Sequence, residues 1–318
     1  MNLDHPVISA MLPVILLIVT GFAAGKGGLV RRESVKDLTN LVFLVLSQAL
    51  LFRTMSSVHL ERLSLQPVFE YFALAVALFL VMLVVYGRDS RASVLALASI
   101  FSNTLMIGVP LVGLAYGPEG QVLLFTLISL HALIVLTFAT VVLELQMAHE
   151  QSQVGGAPRH VLRTVGLAMR NAVLHPVPLP IVAGLLYAQT GWGLHPVLDK
   201  PLMLMGQAFG PVALVLVGIT LSHARIGPQF GSALKISLVK TVVHPVLMLS
   251  AGWLLGMRGL PLSVMVVAAA LPVGANVFLF SQRYEKEEDV VTASVALSAV
   301  MALVSVSLVM ALLPLLPA

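Results

Sequence analysis

The chain has 318 residues, of which 58% are apolar and 10% charged, with a formal net charge of +4 and no cysteine. Soluble domains carry roughly a quarter charged residues, so this chain cannot cover a water-facing surface. The lack of cysteine excludes disulfides, thiolate metal sites and a cysteine nucleophile. The chain contains no basic run with interleaved aromatic residues, the pattern that would indicate a nucleic-acid partner. We therefore expect an all-α integral membrane protein.

Ten apolar stretches are each long enough to cross a bilayer, which takes about 20 residues. The first lacks the positively charged start of a secretory signal and is expected to be retained. A polar, glycine-containing linker at 146–170 is predicted to separate a first repeat, 1–145, from a second, 171–318. The ten predicted spans are 6–25, 36–55, 66–86, 92–116, 120–145, 171–190, 197–221, 234–256, 260–282 and 290–315.

Positive charge is distributed unevenly between the two predicted sides of the membrane. Thirteen of the 18 lysines and arginines fall in loops on one side and four on the other, with Lys240 inside a span. Positive loops face the cytoplasm, which places both termini outside it and the linker inside. Five spans per half is an odd number, so related halves would be inverted repeats, a common plan for secondary transporters.

The fourth and ninth spans are both interrupted near their centres. An opened helix frees amides that bind anions and carbonyls that bind cations, and it is tolerated only when buried or lining a cavity. A single interruption would be explained equally well by a kink, but a matching pair favours a substrate site. The interrupting residues are Asn103, Gly108 and Pro110 in the fourth span, and Pro272, Gly274 and Asn276 in the ninth.

The segments "SNTLMIGVPLVG" and "ALPVGANVFLFSQRY" resemble the two signature segments of the auxin efflux carrier family, which includes bacterial permeases for malonate or malate. The resemblance implies ten helices in two inverted five-helix repeats, divided into a scaffold and a transport subdomain. It also implies that helices 4 and 9 cross near Pro110 and Pro272, where an organic anion binds, and that the transport subdomain moves like an elevator. The six interrupting residues match the motifs and are carried over as substrate-binding.

Four further polar residues within the predicted spans are candidates for function. Gln48 stands where the family often has proline, and it either faces the substrate or bonds a neighbouring helix. His131, Glu144 and Lys240 are candidates for proton or ion coupling, because ionisable groups inside a membrane are functional by default. As alternatives, the imidazole of His131 is neutral and bonded to a facing helix, and the carboxylate of Glu144 lies near the headgroups. The side chain of Lys240 instead snorkels to the membrane surface.

These observations predict a secondary active transporter for malonate or a similar small carboxylate in a bacterial cytoplasmic membrane. The alternatives are a channel or ligand sensor on the same scaffold, or a carrier of another acid such as an auxin-like aromatic carboxylate. An enzyme is disfavoured, since no HExxH, Gly-x-Ser-x-Gly or intramembrane aspartate pair occurs. No cofactor or metal is expected. Coupling to H⁺ or Na⁺ and homodimer formation are left open.

Overall fold

The computed structural model describes residues 6–58, 65–153, 161–173, 177–224 and 227–315. Within these ranges the chain forms helices and no strand, apart from one isolated antiparallel bridge between Ser102 and Val273. The prediction of an all-helical chain is confirmed for these residues.

The helices are numbered in chain order as α1 (Pro6–Lys26), α2 (Ser34–Leu41), α3 (Ser47–Met55), α4 (Gln66–Tyr86), α5 (Ser90–Ile100), α6 (Val109–His131), α7 (Thr137–Gln153), α8 (Val161–Val173), α9 (Pro178–Ala188), α10 (Pro196–Ser222), α11 (Phe230–Leu238), α12 (His244–Leu254), α13 (Gly259–Ala270), α14 (Ala275–Tyr284) and α15 (Glu288–Leu312).

Four π-helical turns interrupt the regular helices in the described residues. A π-turn inserts one residue into a helix, frees a backbone carbonyl and is frequent at functional sites. Three of the turns join consecutive helices into continuous rods, and one begins the helical segment that leads into α6. They are Val42–Leu46, Thr104–Gly108, Ala132–Leu136 and Val239–Val243.

Seven helical runs in the described part of the chain are long and apolar enough to cross a membrane. Three shorter apolar helices, α5, α9 and α13, accompany them. Large apolar side chains such as Leu16, Val85 and Leu308 point outward on these runs, as expected for a surface that faces lipid. The chain is thus a helical membrane protein with several candidate spans.

The longest run, Thr104–Gln153, contains 50 residues. At 1.5 Å per residue it would extend about 75 Å, more than twice the hydrocarbon thickness of about 30 Å. Gly117 divides it, with φ of +63° and ψ of −159°, and Pro118 follows. Because this conformation lies outside the helical region and favours glycine, the run turns at the boundary predicted between the fourth and fifth spans.

The predicted linker at 146–170 is more helical than expected. Helix α7 continues through its first residues to Gln153, and α8 begins at Val161. The polar residues after the fifth span are good helix formers, so the helix extends past the apolar segment. Helix α8 exposes Leu162 and Met169, and it also carries arginines, the composition of a helix that lies on a membrane surface.

The helices pack into two groups. One consists of α1, the α2–α3 rod, α9 and α10, and the other of α4, α5, α7 and α11–α15. Helix α6 contacts both groups, through α1 and α9 on one side and α13 on the other. The interrupted fourth and ninth spans therefore meet within the second group, against its boundary with the first.

Candidate functional site

The fourth and ninth spans cross as two short extended segments that hydrogen-bond to each other. The amide of Asn103 donates to the carbonyl of Pro272 at 2.9 Å, and the amide of Gly274 donates to the carbonyl of Phe101 at 2.9 Å. The amide of Val273 donates to Ser298 Oγ at 3.0 Å. Backbone groups released by the two helix breaks are thus largely satisfied by each other, which is what allows such breaks inside an apolar protein.

The crossing differs from the prediction in its position along the fourth span. The chain leaves helical geometry at Phe101 and Asn103, whereas Gly108 ends the π-turn that follows and Pro110 lies in the first turn of α6. Proline lacks an amide hydrogen and fits the start of a helix, where that hydrogen has no partner. Pro110 therefore marks the start of the regular helix instead of the break, and the crossing lies at Asn103 and Pro272.

The two half-helices that start at the crossing are capped differently. Asn103 Oδ1 accepts a hydrogen bond from the amide of Met106 at 3.3 Å, so this side chain caps its own helical segment. Helix α14 starts after Gly274 with no side-chain cap. Its first amides therefore present their hydrogens and the positive end of the helix dipole at the crossing.

Two of the predicted glycines lie in close packing at the crossing. A Cβ atom on Gly274 would lie 2.7 Å from Phe101 Cδ1 and 3.0 Å from the carbonyl oxygen of Ser102. A Cβ atom on Gly108 would lie 2.8 Å from Leu271 Cδ1. Gly274 thus lets the two broken spans approach each other, because the carbonyl oxygen of Ser102 cannot move aside, whereas the end of the Leu271 side chain beside Gly108 can.

A small cavity of about 50 Å³, partly open to the outside, lies against the crossing. Three of the predicted substrate-binding residues, Asn103, Gly274 and Asn276, line it, and Asn276 makes no side-chain hydrogen bond to the described residues. Gly108, Pro110 and Pro272 do not line it. The complete lining is Phe43, Phe101, Ser102, Asn103, Thr104, Leu105, Ile128, His131, Ala132, Val177, Pro178, Gly274, Ala275 and Asn276.

Gln48 lies next to this cavity without lining it. Its Nε2 donates to the carbonyl of Phe43 at 2.8 Å, five residues earlier in the same rod. The π-turn Val42–Leu46 frees this carbonyl, and Phe43 itself lines the cavity. Neither sequence-based alternative for Gln48 describes this contact, because the side chain supports a turn of its own helix.

The three coupling candidates occupy different places. His131 is 3% exposed and lines the cavity, while Lys240 is fully buried and donates a hydrogen bond from Nζ to the carbonyl of Ala269. The burial of Lys240 contradicts the snorkelling alternative. Glu144 is also buried, but it lies beside Tyr284 and 13 residues beyond His131, about 20 Å along the helix.

Sequence reasoning missed the cavity residues contributed by the first packed group. Phe43 and Val177 line the cavity from the second and sixth predicted spans. Both are ordinary apolar residues within apolar stretches, so no local pattern distinguishes them from lipid-facing neighbours. Phe101, which lines the cavity from the fourth span, could have been found from the sequence. It directly precedes the polar "SN" pair that interrupts this span.

A helical membrane protein in which two broken helices cross beside a polar-edged cavity has the architecture of a membrane transporter. The chain belongs to the membrane transport protein family, whose model matches residues 6–310. The resemblance to auxin efflux carriers noted from the two signature segments is thereby confirmed.

Three relatives illustrate the breadth of this family. Auxin efflux carrier component 8 of Arabidopsis thaliana is 23% identical over 243 residues, or 64% of this chain and 66% of the plant protein. An uncharacterized transporter of Methanocaldococcus jannaschii is 21% identical over 94% of this chain and 96% of its own length. A Rhizobium meliloti protein whose name proposes malonate transport is 29% identical over 48% of each chain.

Proposed function

We propose that this chain is a secondary active transporter that carries a small organic anion, with malonate or a similar carboxylate as the substrate. The observation that carries the proposal is the uncapped start of α14, which opens with Asn276 on the cavity at the crossing. Amides at a helix start together with an asparagine amide group suit a carboxylate. One relative is named for auxin efflux and another for malonate transport, and both names refer to organic acids.

Ten crossings in two inverted repeats remain the proposed topology. The break at Gly117 divides the longest apolar run into two segments, and the short helices α5, α9 and α13 each belong to a predicted span. Each half contributes its first two predicted spans to the first packed group and its third to fifth spans mainly to the second group, while α6, within the fourth and fifth spans, contacts both. Equivalent contributions from the two halves support an inverted repeat.

An elevator-like movement is the proposed mechanism. The crossing and its hydrogen bonds belong to the second packed group, while Phe43 and Val177 reach the cavity from the first. A bound anion would therefore travel with the second group as it slides past the first, and the cavity would open to alternate sides. The proposed orientation keeps both termini outside the cytoplasm, in accord with the positive charge of the opposite loops.

The first experiment is uptake of labelled malonate into proteoliposomes that contain the purified protein. Saturable uptake with counterflow against unlabelled malonate would support a carrier, whereas a channel would show neither. The competition panel should include monocarboxylates, other dicarboxylates and an aromatic carboxylate. If no organic acid competes or exchanges, the proposed substrate class is wrong.

The two asparagines provide the residue-level test of the site. We expect Asn276→Ala to lower affinity for malonate by about ten- to a hundredfold, since a lost hydrogen bond to a charged group costs about 1.5–3 kcal/mol. Asn103→Ala should show a similar loss, measured as the concentration of malonate that gives half-maximal uptake. Asn40→Ala is the matched control, because Asn40 is exposed on α2 and does not line the cavity.

The cap formed by Asn103 requires a second variant. Removing it costs about 1 kcal/mol of helix stability whatever the substrate does. Asn103→Ser retains a capping oxygen but cannot present an amide to the carboxylate. If Asn103→Ser and Asn276→Ala both transport malonate normally, the crossing is only structural.

The main alternative substrate is an auxin-like aromatic carboxylate. The rings of Phe43 and Phe101 line the cavity, and a plant auxin efflux carrier is among the relatives. Aromatic rings pack well against other rings. Stronger competition by an aromatic carboxylate than by malonate in the panel would select this alternative.

A further inference from the structure

Beside the crossing lies a buried cluster of three basic side chains, which we call the basic cluster: His131, Lys240 and His244. Lys240 and His244 are fully buried, and His131 is 3% exposed. Each is placed at a π-turn, His131 directly before Ala132–Leu136, and Lys240 and His244 within and directly after Val239–Val243. Such turns frequently occur at functional sites.

Aromatic contacts join the cluster to the cavity. The Tyr71 ring lies 6.1 Å from the His131 ring and 5.6 Å from the His244 ring, between centroids. Phe101 stacks on His131 at 4.3 Å, and the Tyr71 hydroxyl is 3.0 Å from Ser102 Oγ. Because Phe101 and Ser102 form the crossing and His131 itself lines the cavity, the cluster borders the proposed anion site.

The imidazoles have unused hydrogen-bonding capacity. His131 Nε2 and both ring nitrogens of His244 are buried without a hydrogen-bond partner among the described residues. The single partner of Lys240 among those residues is the carbonyl of Ala269. Buried polar atoms are normally paired, and each exception needs an explanation.

Other ionisable groups on the packed elements do not neutralise the cluster. The segment that holds Lys240 and His244 packs against α4, α5, α11, α13 and α15, and α13 carries no charged residue. Glu70 on α4 accepts a hydrogen bond from Gln66 at one carboxylate oxygen, its other oxygen is buried without a partner among the described residues, and no observed contact joins it to the cluster. The remaining groups lie near helix ends: Tyr86 on α4, Arg91 on α5, Lys235 on α11, and Glu288 and Asp289 on α15.

The elements packed against His131 also leave the cluster without a carboxylate partner in the described residues. Glu144 lies beside Tyr284, about 20 Å along the helix from His131. Asp199 forms a salt bridge with Arg53 at 2.7 Å, near the ends of α10 and α3. The other groups on these elements are Lys26 on α1, Tyr116 and Glu119 on α6, His149 and Glu150 on α7, Arg163 and Arg170 on α8, Tyr187 on α9, and Lys200 on α10.

The position of Lys240 indicates which charge the cluster carries. Ala269 is the penultimate residue of α13, the half-helix that ends at the crossing. The carbonyl end of a half-helix carries partial negative charge, and in transporters of this plan such ends hold the coupling cation. Here the lysine side chain already occupies this place. Two protons within the cluster would repel each other strongly in an apolar interior, so the cluster holds at most one proton at a time.

We propose that the basic cluster is the proton-binding site of the transporter and that its single proton, carried by Lys240 at the carbonyl end of α13, replaces a bound sodium ion. The inference rests on the proposed function. The proton enters from the water on the side to which the cavity opens and leaves on the other. An anion in the cavity favours the protonated cluster, and by linkage the protonated cluster favours the anion to the same degree.

The test is accumulation of malonate in proteoliposomes with the membrane potential clamped at zero. If one proton moves with each anion, a lumen that is one pH unit more alkaline than the outside should drive about tenfold accumulation of malonate. A tenfold proton gradient and a tenfold malonate gradient store the same free energy. A sodium gradient should drive no accumulation. In Lys240→Met the ratio of inside to outside malonate should fall to one. Exchange of malonate, measured in the same vesicles, should show that the carrier still works. His244→Gln, which breaks no observed hydrogen bond, is the second variant if Lys240→Met does not fold.

The matched control is Lys235→Met, on the same rod but exposed. It should keep tenfold accumulation per pH unit. Accumulation driven by sodium, or by pH in both Lys240→Met and His244→Gln, would overturn the proton site while leaving the carrier intact.

If no carboxylate exchanges at all, the proposed function is wrong. Nitrogen NMR of the imidazoles then tests independently whether the basic cluster binds a proton. We expect the ring nitrogen signals of His131 or His244 to shift as Lys240 gains or loses its proton, and this response to disappear in Lys240→Met. Signals of both rings that stay constant with pH, or a response that persists in Lys240→Met, would overturn the proton site.

Discussion

At the scale of single residues, the crossing depends on how closely Gly274 approaches the fourth span. Its φ of −76° and ψ of 144° are open to any residue, so the need for glycine comes from its neighbours. A Cβ atom would lie 3.0 Å from the carbonyl oxygen of Ser102, a backbone atom that cannot rotate away.

We therefore expect Gly274→Ala to destabilise the protein by about 1–3 kcal/mol through overpacking and to widen the crossing. The readouts are the melting temperature in detergent and malonate uptake. Gly231→Ala is the control, since a Cβ atom there meets nothing within 4 Å. Equal melting temperatures for the two variants would contradict the tight packing described at Gly274.

The sequence located the ninth-span break more accurately than the fourth-span break. In the ninth span Pro272 and Gly274 flank the break and make it visible. In the fourth, the break falls at "FSN", where an asparagine cap starts the next segment, and Pro110 lies beyond it. Proline signals both helix breaks and helix starts, so only the cap distinguishes them.

At the scale of helices, α1 and α10 pack through small residues spaced four apart. Gly21 and Gly25 lie on α1, opposite Gly218 and Ser222 on α10. A Cβ atom on Gly21 would lie 1.9 Å from the carbonyl oxygen of Val215. Such small-residue pairs let two backbones approach within a membrane, where the hydrophobic effect provides no attraction between helices.

We expect Gly218→Ala to separate α1 from α10, because its Cβ atom would lie 2.0 Å from the carbonyl oxygen of Ile18. The predicted loss is about 3 kcal/mol, the upper end for overpacking. Gly21→Ala should act alike, and the double variant should lose less than the sum, since one separation relieves both contacts. Detergent melting measures all three, and strict additivity would contradict a shared contact.

The sequence could have revealed this pair, because "GFAAG" and "GITLS" both carry the four-residue spacing. The π-turns, in contrast, leave no comparable signal. Val42–Leu46 and Ala132–Leu136 consist of apolar residues that also fit a regular helix. Their positions depend on tertiary contacts, such as the hydrogen bond from Gln48 to Phe43, which become known only with the fold.

At the scale of the whole molecule, the proposed elevator requires the two packed groups to slide past each other. Gly210 on α10 and Pro110 on α6 face each other across their boundary, and a Cβ atom on Gly210 would lie 3.3 Å from Pro110 Cβ. Disulfides need a Cβ separation of about 3.5–4.5 Å, so cysteines at these positions are close enough to bond with a small shift. The chain has no other cysteine.

We expect oxidation of the Pro110→Cys, Gly210→Cys double variant to stop malonate uptake and reduction to restore it. Leu50→Cys with Gly206→Cys is the matched control, with a Cβ separation of 3.5 Å inside the first group. That bond should leave uptake unchanged. Full uptake with the boundary bond closed would exclude sliding at this contact.

The bridge between Ser102 and Val273 also constrains how the protein is made. Its two partners are about 170 residues apart in the chain, so at about 5–20 residues per second the ribosome completes the second some 10–30 seconds after the first. Throughout that interval the amide of Asn103 and the carbonyl of Phe101 lack the partners that they have in the finished fold. The hydrogen bonds of the fourth span at the crossing can therefore form only after the ninth span is made, and the bond from Val273 to Ser298 only after the tenth.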